Sequence, residues 1–122
     1  MGELGEFFGG RQHAFSLYME LLAALAPRCP EMGVRVGRTQ ISLTCPRVFG
    51  AVSMARVRRG LTGEYIVVTF GLHDRVEDAR IDVATEPHPH RWTHHVVVTE
   101  PGDIDEQLLG WLVAAYDFAR RK

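Results

Sequence analysis

A cluster of histidines is the clearest candidate for chemistry in this chain of 122 residues. Four of the six histidines fall within eight consecutive positions, namely His88, His90, His94 and His95. Two histidines separated by one residue on an extended segment point to the same side, a geometry that can bind zinc or another transition metal. Because His95 points away from His94 on a strand, the pattern predicts a metal site formed by His88, His90 and His94.

Such a site would suit a small metal-assisted enzyme, for example a hydrolase with Glu86 or Asp82 as the carboxylate base. His73 or Asp74 would add a further ligand if their loop folds against the cluster. The plainer interpretation is a polar loop followed by one histidine at a sheet edge or satisfied in the core. Both interpretations stay open at this level, and the plainer one is favoured.

A second candidate lies in the uneven distribution of charge. Residues 33–63 contain six arginines and no acidic residue, in a chain whose formal net charge is −1. They are Arg35, Arg38, Arg47, Arg56, Arg58 and Arg59. The guanidinium fork donates two hydrogen bonds to a phosphate or carboxylate, so the segment predicts a site for an anionic partner, either nucleic acid or an acidic protein. We expect Arg56, Arg58 and Arg59, joined by Arg38, to form this basic patch.

Two other interpretations compete with an anion site. The arginines would also suit the solvated face of a sheet, with some of them paired to acidic residues elsewhere. A third hypothesis needs no ligand, because a sheet covered on one face only leaves the other face free for a symmetric homodimer. Phe49, Tyr65 or Trp92 on that face would favour the homodimer, and Phe49 or Tyr65 would alternatively stack on a base.

Several established catalytic patterns are missing from the sequence. It contains no G-x-S-x-G nucleophile elbow, no Walker loop and no H-E-x-x-H zinc motif. Cys29 and Cys45 have neither C-x-x-C nor metal-finger spacing, so we expect two reduced thiols. We therefore predict no catalytic residue and no cofactor, and we favour a non-catalytic binding or interaction module over an enzyme.

Length and composition are typical of a single globular domain. An apolar fraction of 46% suffices for one core, and we expect one domain over residues 1–122 with an N-terminal arm at 1–10. The longest apolar runs are too short to cross a bilayer, and the N-terminal residues lack the basic and apolar regions of a secretory signal. We expect a cytoplasmic protein without membrane association.

Hydrophobic periodicity predicts two helices that flank a set of strands. Residues 11–26 repeat apolar side chains at three- and four-residue steps. The predicted stripe consists of Phe15, Tyr18, Leu22 and Leu25. Pro27 ends this helix. A second helix follows Pro101 and Gly102, where Asp103 and Glu106 have the spacing of a capping box.

Between the helices the apolar period changes to two, which is typical of strands. Strands are predicted at residues 34–37, 39–44, 48–54, 65–72 and 92–99, with a short edge strand at 80–83. Segment 65–72 is the most apolar and belongs in the centre of the sheet, whereas the prolines make 86–90 a loop. We predict an α+β two-layer sandwich, an antiparallel meander of five or six strands with the N- and C-terminal helices packed on one face.

The order of these motifs resembles the domain-of-unknown-function 5655 family. The motifs are Phe7-Phe8 before the first helix, the strand Arg38-Thr39-Gln40-Ile41-Ser42-Leu43, the segment Trp92-Thr93-His94-His95-Val96, the helix start Ile104-Asp105-Glu106-Gln107-Leu108 and the pair Ala115-Tyr116. The resemblance covers nearly the whole chain and implies a small bacterial α+β domain that occurs alone or attached to other domains. The family has no established activity, so the resemblance implies no catalytic residue.

Overall fold

The computed structural model describes residues 3–121, so Met1 and Gly2 of the predicted arm and Lys122 of the C-terminal tail lie outside the described residues. The helices are α1 (Glu3–Phe8), α2 (Gln12–Leu25) and α3 (Glu106–Arg120), with a 3-10 turn at Pro101–Asp103. The strands are β1 (Gly33–Val36), β2 (Gln40–Thr44), β3 (Val48–Ser53), β4 (Ile66–Leu72), β5 (Ile81–His88) and β6 (Arg91–Val98). No described helix has the length and apolar composition needed to cross a membrane.

All these strands join one antiparallel sheet in the order β1-β2-β3-β4-β6-β5. The predicted α+β class is confirmed, and the apolar strand β4 lies inside the sheet as expected. One step departs from a simple meander, because β6 pairs with β4 over seven residues, from Ile66 opposite Val98 to Leu72 opposite Trp92. This pairing moves β5 to the edge, where a short edge strand was predicted.

The segment 86–90 is not the loop that its prolines predicted. Strand β5 continues to His88, and a two-residue turn of Pro89 and His90 leads directly into β6. Pro87 is tolerated because β5 is an edge strand whose pairing with β6 is irregular between Thr85 and His88. His90 adopts a φ of 60°, and its N–H donates to Oε2 of Glu86 at 3.0 Å.

The core lies between one face of the sheet and helices α2 and α3. The pairing register aligns one row of apolar residues across this face, made of Val36, Ile41, Val52, Val68, Val96 and Ile81. Helix α3 packs on β3 and β4, and α2 packs on β4 and α3, so both long helices cover the same face as predicted. Their buried residues join those of the strands in one continuous cluster.

The predicted N-terminal arm contains a short helix, α1, that docks on α2. Phe8 is buried, and its ring centroid lies 5.5 Å from those of Phe15 and Tyr18. The buried stripe of α2 differs from the predicted one and consists of Ala14, Leu17, Tyr18, Leu21 and Leu25. Phe15 stays 38% exposed, because it contacts α1 at the rim of the domain.

The prediction of helices on one face only left the second face of the sheet open, but part of that face is covered in the structure. Val67 points away from the helices, because it alternates with the core residues Ile66 and Val68, and yet it is fully buried. Residues 54–65, here called the strap, connect β3 to β4, and Arg58 in the strap contacts Asp82 on β5 at 2.6 Å. From this contact we infer that the strap passes over β4 and β6 and covers Val67.

The three aromatic residues considered for a homodimer face each have a structural contact within the chain. Phe49 is buried, with its ring centroid 5.4 Å from that of Tyr116 in α3. Trp92 lies under the guanidinium of Arg75, at 5.6 Å from the ring centroid. The hydroxyl of Tyr65 donates to two carbonyl groups of the strap. These contacts account for the three side chains without a second copy of the chain.

Helix α3 is capped two residues later than its sequence pattern predicted. Asp105, not Asp103, is the N-cap, because its Oδ1 accepts a hydrogen bond from the N–H of Leu108 at 3.0 Å. That N–H, and the Arg80 guanidinium at 2.8 Å from the same carboxylate, lower the pKa of Asp105. Asp103 instead holds the preceding turn, where its Oδ2 accepts from the N–H of Thr99 at 2.9 Å.

Two glycines lead to opposite predictions for the same substitution. A Cβ atom at Gly50 on β3 would lie 2.7 Å from the carbonyl oxygen of Thr69, whereas a Cβ atom at Gly110 on α3 would meet no atom within 4 Å. We expect Gly50→Ala to lower the free energy of unfolding by about 1–3 kcal/mol through overpacking. Gly110→Ala should raise it by about 1 kcal/mol through helix propensity. Urea denaturation followed by circular dichroism measures both changes. Equal stabilities of the Gly50→Ala and Gly110→Ala variants would contradict the close approach of β3 and β4.

Candidate functional site

The structure separates the histidines that the sequence grouped. His94 is fully buried, and its ring stacks on Phe70 with a centroid distance of 5.0 Å and an interplanar angle of 11°. Its Nε2 atom accepts a hydrogen bond of 2.9 Å from the N–H of Val76, in the loop between β4 and β5. The neutral ring therefore carries its proton on Nδ1. His94 anchors this loop to the core and does not reach the surface.

Burial lowers the pKa of His94, and the backbone carbonyl groups of Phe70 and Trp92 oppose this shift only in part. Neither carbonyl is placed for a hydrogen bond to Nδ1, which has no partner in the part of the chain that the structure describes. A second proton on the ring would also displace the hydrogen bond from Val76 to Nε2. His94 is thus held as a neutral, structural histidine.

His95 faces the opposite side of the sheet, as strand alternation predicted. Its Nδ1 atom lies 2.8 Å from Oγ1 of Thr69, the residue directly opposite on β4. Burial lowers the pKa of His95 as well. The two adjacent histidines therefore serve different faces of the sheet and have no common ligand position.

The other histidines of the cluster meet His73 at one end of the sheet. The ring of His73 stacks on that of His90 with a centroid distance of 4.9 Å and an interplanar angle of 8°, and His88 lines the same pocket. An imidazole binds a metal ion within its ring plane, and two nearly parallel stacked planes share no position for one ion. Within residues 3–121 no three side chains of the metal-binding types are grouped to hold an ion. The structure does not bring His88, His90 and His94 together.

Both carboxylates considered as catalytic bases have structural partners. The Asp82 side chain is 11% exposed, and its Oδ1 is 2.6 Å from Nη1 of Arg58. Glu86 accepts the N–H of His90 and so closes the turn between β5 and β6. These contacts engage the carboxylates in the fold, and they give a metal-assisted enzyme no geometric support.

Both cysteines are buried and free. Burial is the main cause that raises the pKa of the Cys29 thiol and of the Cys45 thiol. Because the thiolate is the nucleophile, this environment disfavours cysteine catalysis near neutral pH. The two thiols contribute to the core, as their sequence context indicated.

The four arginines of the predicted basic patch are divided by the fold. Arg58 is engaged with Asp82, and Arg59 is exposed on the strap. Arg38 lies just before β2 and Arg56 at the start of the strap, and these two line a common cleft. The predicted patch is therefore reduced to one pair that shares a surface.

A third arginine completes this surface, which we call the arginine cleft. Arg11, between α1 and α2, lines it together with Arg38 and Arg56. The cleft has a volume of about 640 Å³. The remaining lining residues are Phe7, Thr39, Met54, Ala55, Leu61, Gly63, Glu64 and Tyr65. The three cationic side chains come from three separate segments of the chain.

The arginine cleft contains little negative charge. In the part of the chain that the structure describes, Glu64 is its one acidic lining residue. Oε1 of Glu64 accepts the N–H groups of His13 at 2.8 Å and Ala14 at 3.1 Å, in the first turn of α2. A carboxylate at this position complements the positive end of the helix. Among the described residues, none of the three arginines forms an ion pair.

Arg11 was not among the site residues that the sequence indicated. Its Nη1 donates to the carbonyl oxygen of Phe8 at 3.2 Å, which ties the side chain to the turn between α1 and α2. No local pattern relates position 11 to positions 38 and 56. Their proximity depends on the docking of the N-terminal helices beside the ends of β2 and β3, which is a property of the tertiary fold.

The lowered pKa values of His94 and His95 predict that stability falls on mild acidification. The unfolded chain takes up protons at the ordinary histidine pKa of about 6.5, before the folded protein does. Stability is therefore fully present above that pH and is lost as the pH falls towards the folded pKa values. We expect the free energy of unfolding in urea to decrease between about pH 7.5 and pH 5.

Variants assign this decrease to the two buried rings. His94→Gln should flatten the dependence of unfolding free energy on pH, and His95→Gln should flatten it in part. His88→Gln is the matched control, because His88 is exposed, and it should leave the slope unchanged. An unchanged slope in both His94→Gln and His95→Gln would show that these rings take up protons as readily in the folded state.

Loss of Arg58 should destabilise the protein, whereas loss of its neighbour Arg59 should not. Oδ2 of Asp82 is buried without a partner among the described residues, so Arg58→Gln leaves a largely buried carboxylate uncompensated. We expect a loss of about 1–3 kcal/mol, measured by urea denaturation. Asp82→Asn in the Arg58→Gln background should recover part of that loss. A double-mutant cycle with zero coupling would refute the ion pair between strap and β5.

Comparison with curated proteins and with solved structures gives no match for this chain. A family model described as "Domain of unknown function (DUF5655)" matches residues 5–119. The matched region contains both the arginine cleft and the histidine cluster, and the family description assigns neither of them a role. With this match over nearly its whole length, the chain belongs to the domain of unknown function family DUF5655.

Proposed function

We propose that this domain is a non-catalytic binding module for an anionic partner, whose phosphate groups enter the arginine cleft. The observation that carries the proposal is the convergence of Arg11, Arg38 and Arg56 on one concave surface of about 640 Å³. None of these guanidinium groups has a carboxylate partner in residues 3–121. Cationic forks that are held together without ion-pair partners favour an anion with several acceptor oxygens.

Single-stranded nucleic acid is the partner class that fits the cleft best. Phe7 and Tyr65 line the same surface as the arginines and offer aromatic contacts to an unpaired base. The hydroxyl of Tyr65 bonds to strap carbonyl groups, which fixes its ring at the cleft. An acidic protein segment would use the arginines and leave the aromatic side chains without a role.

The overall charge limits how strong this interaction can be. A formal net charge of −1 excludes broad attraction to polyanions, so binding depends on the few cations of the cleft. Three phosphate contacts correspond to a slope of about −2 for the logarithm of affinity against the logarithm of salt concentration, at roughly 0.7 per phosphate on single strands. The proposal therefore specifies weak binding with a modest dependence on salt concentration.

We expect a fluorescein-labelled single-stranded oligonucleotide to bind at low salt in an anisotropy titration. The logarithm of its affinity should fall with the logarithm of salt concentration with a slope of about −2. Arg38→Gln and Arg56→Gln should each weaken binding by roughly tenfold and reduce the slope by about 0.7. Tyr65→Leu should weaken binding without changing the slope, because stacking releases no counterions.

Arg59→Gln is the matched control, because Arg59 is exposed on the same strap outside the cleft. It should bind like the parent protein. Binding of a polyglutamate peptide in preference to the oligonucleotide would assign the cleft to acidic proteins. Equal losses in Arg38→Gln and Arg59→Gln, or no binding at low salt, would overturn the proposal.

A further inference from the structure

A small pocket at the other end of the sheet collects basic and imidazole side chains from four segments of the chain. Its volume is about 270 Å³. The pocket is lined by residues of four segments: Arg47 before β3, His73 after β4, the β5–β6 hairpin residues His88, Pro89, His90 and Arg91, and Phe118 and Ala119 from α3. We call it the histidine pocket. Because its lining is assembled from distant segments, it is a product of the fold rather than of one loop.

A pair of stacked rings forms one wall of the histidine pocket. The ring of His73 lies parallel to that of His90, and the edge of Phe118 meets His73 with a centroid distance of 6.1 Å and an interplanar angle of 87°. The N–H at Nδ1 of His73 donates to Oδ1 of Asp74 at 2.9 Å, so Nε2 of the neutral ring is a hydrogen-bond acceptor, and it donates to a ligand only when the ring is protonated. The backbone N–H of His90 donates to the Glu86 carboxylate, so the turn holds the His90 ring in place.

The charge of the pocket is one-sided. No aspartate or glutamate of the described chain lines it. Arg47 and Arg91 form no ion pair within residues 3–121. The parallel rings exclude a shared metal ion, whereas the two guanidinium forks, and the imidazoles in their protonated form, are hydrogen-bond donors. A tetrahedral oxyanion, which accepts hydrogen bonds from several directions, is the ligand chemistry that this set of donors fits.

The histidine pocket is distinct from the arginine cleft. Arg38 and Arg56 lie at one end of the β2–β3 hairpin, and Arg47 lies in the turn at its other end. Strand β2 has five residues, which at about 3.4 Å per residue separates the two ends by roughly 17 Å. One phosphate group cannot contact both sets of arginines, so the two surfaces bind independently.

We propose that the histidine pocket binds the phosphate group of a small phosphomonoester. Arg47 and Arg91 supply the charged forks, and the stacked rings of His73 and His90 add donors when they are protonated. The pocket is small enough to favour a single phosphate with a short organic substituent over a polymer, and the edge of Phe118 borders the space for that substituent. The chemistry of recognition is that of a phosphate dianion, whether free or esterified.

Histidine-selective NMR tests this proposal on the full chain. In ¹⁵N-labelled protein in a phosphate-free buffer, inorganic phosphate and then glycerol 3-phosphate are titrated while the imidazole signals are followed. We expect saturable shifts for His73 and His90 and none for the buried ring of His94. Arg47→Gln and Arg91→Gln, both at exposed positions, should each weaken the fitted affinity by roughly tenfold.

The controls separate this site from the arginine cleft. Arg38→Gln should leave phosphate affinity in the histidine pocket unchanged, and sodium chloride at equal ionic strength should cause no saturable shift. Tighter binding of glycerol 3-phosphate than of inorganic phosphate supports the phosphomonoester assignment, whereas equal or weaker binding overturns it in favour of free phosphate. Absence of saturable shifts, or full affinity in both Arg47→Gln and Arg91→Gln, would falsify the site itself. The oligonucleotide assay depends on Arg38 and Arg56, so either proposal can fail without the other.

Discussion

The pairing of β6 with β4 is the interaction on which the rest of the structure depends. It extends over seven residues and buries alternate side chains of both strands against the helices. Because the pairing starts with Trp92 opposite Leu72, the turn before β6 is placed beside the residue that follows β4, which is His73. At its other end the chain reaches α2, where the carbonyl oxygen of Thr99 lies 2.7 Å from Nε2 of His13. The register of β4 with β6 thus places the β5–β6 turn against His73 at one end of the sheet and Thr99 against α2 at the other.

Charge is distributed so that acidic residues hold segments together while other arginines line open surfaces. Arg58 ties the strap to Asp82, and Arg80 ties the loop before β5 to Asp105 at the start of α3. Each pair links elements that are distant in sequence, and the exposed fraction of Arg80 and Asp82 is small enough to limit solvent screening. The carboxylates used in this way lie away from the two arginine-lined pockets. A nearly neutral chain can therefore present locally unbalanced positive charge at two places.

Much of the architecture could be predicted from local pattern, because each element buries one face and its period records that burial. The α+β class, the two long helices and the apolar strand β4 follow from hydrophobic periodicity. The prolines instead predicted a loop at 86–90, where β5 continues to His88. The position of β6 between β4 and β5 could not be predicted in the same way. The alternation pattern of a strand shows which of its residues are buried, but it does not show which strand it pairs with. The same limit applies to the strap, whose position depends on contacts between distant segments, namely Arg58 with Asp82 and Glu64 with the first turn of α2.

The candidate sites show this limit residue by residue. Spacing grouped His94 with His88 and His90, but alternation along β6 sends the ring of His94 into the core, where it accepts the N–H of Val76. Arg38 and Arg56, two members of the predicted patch, line one cleft, and Arg11 joins them only through the docking of α1 and α2. Sequence spacing identifies side chains with suitable chemistry, whereas their grouping depends on contacts between segments that are far apart in the chain.

The buried ring of His94 links this core to the surface. An apolar residue of similar size would stack on Phe70 equally well, but it would leave the N–H of Val76 without its acceptor. That hydrogen bond holds the loop that starts at His73, and Arg80 holds the far end of the same loop by donating to the carbonyl oxygen of Asp103 at 2.6 Å. A loop fixed at both ends keeps the His73 ring against His90, which would limit the loss of entropy on binding at the proposed histidine pocket. The fully buried His94 therefore positions the loop that carries His73, one of the residues that line this pocket.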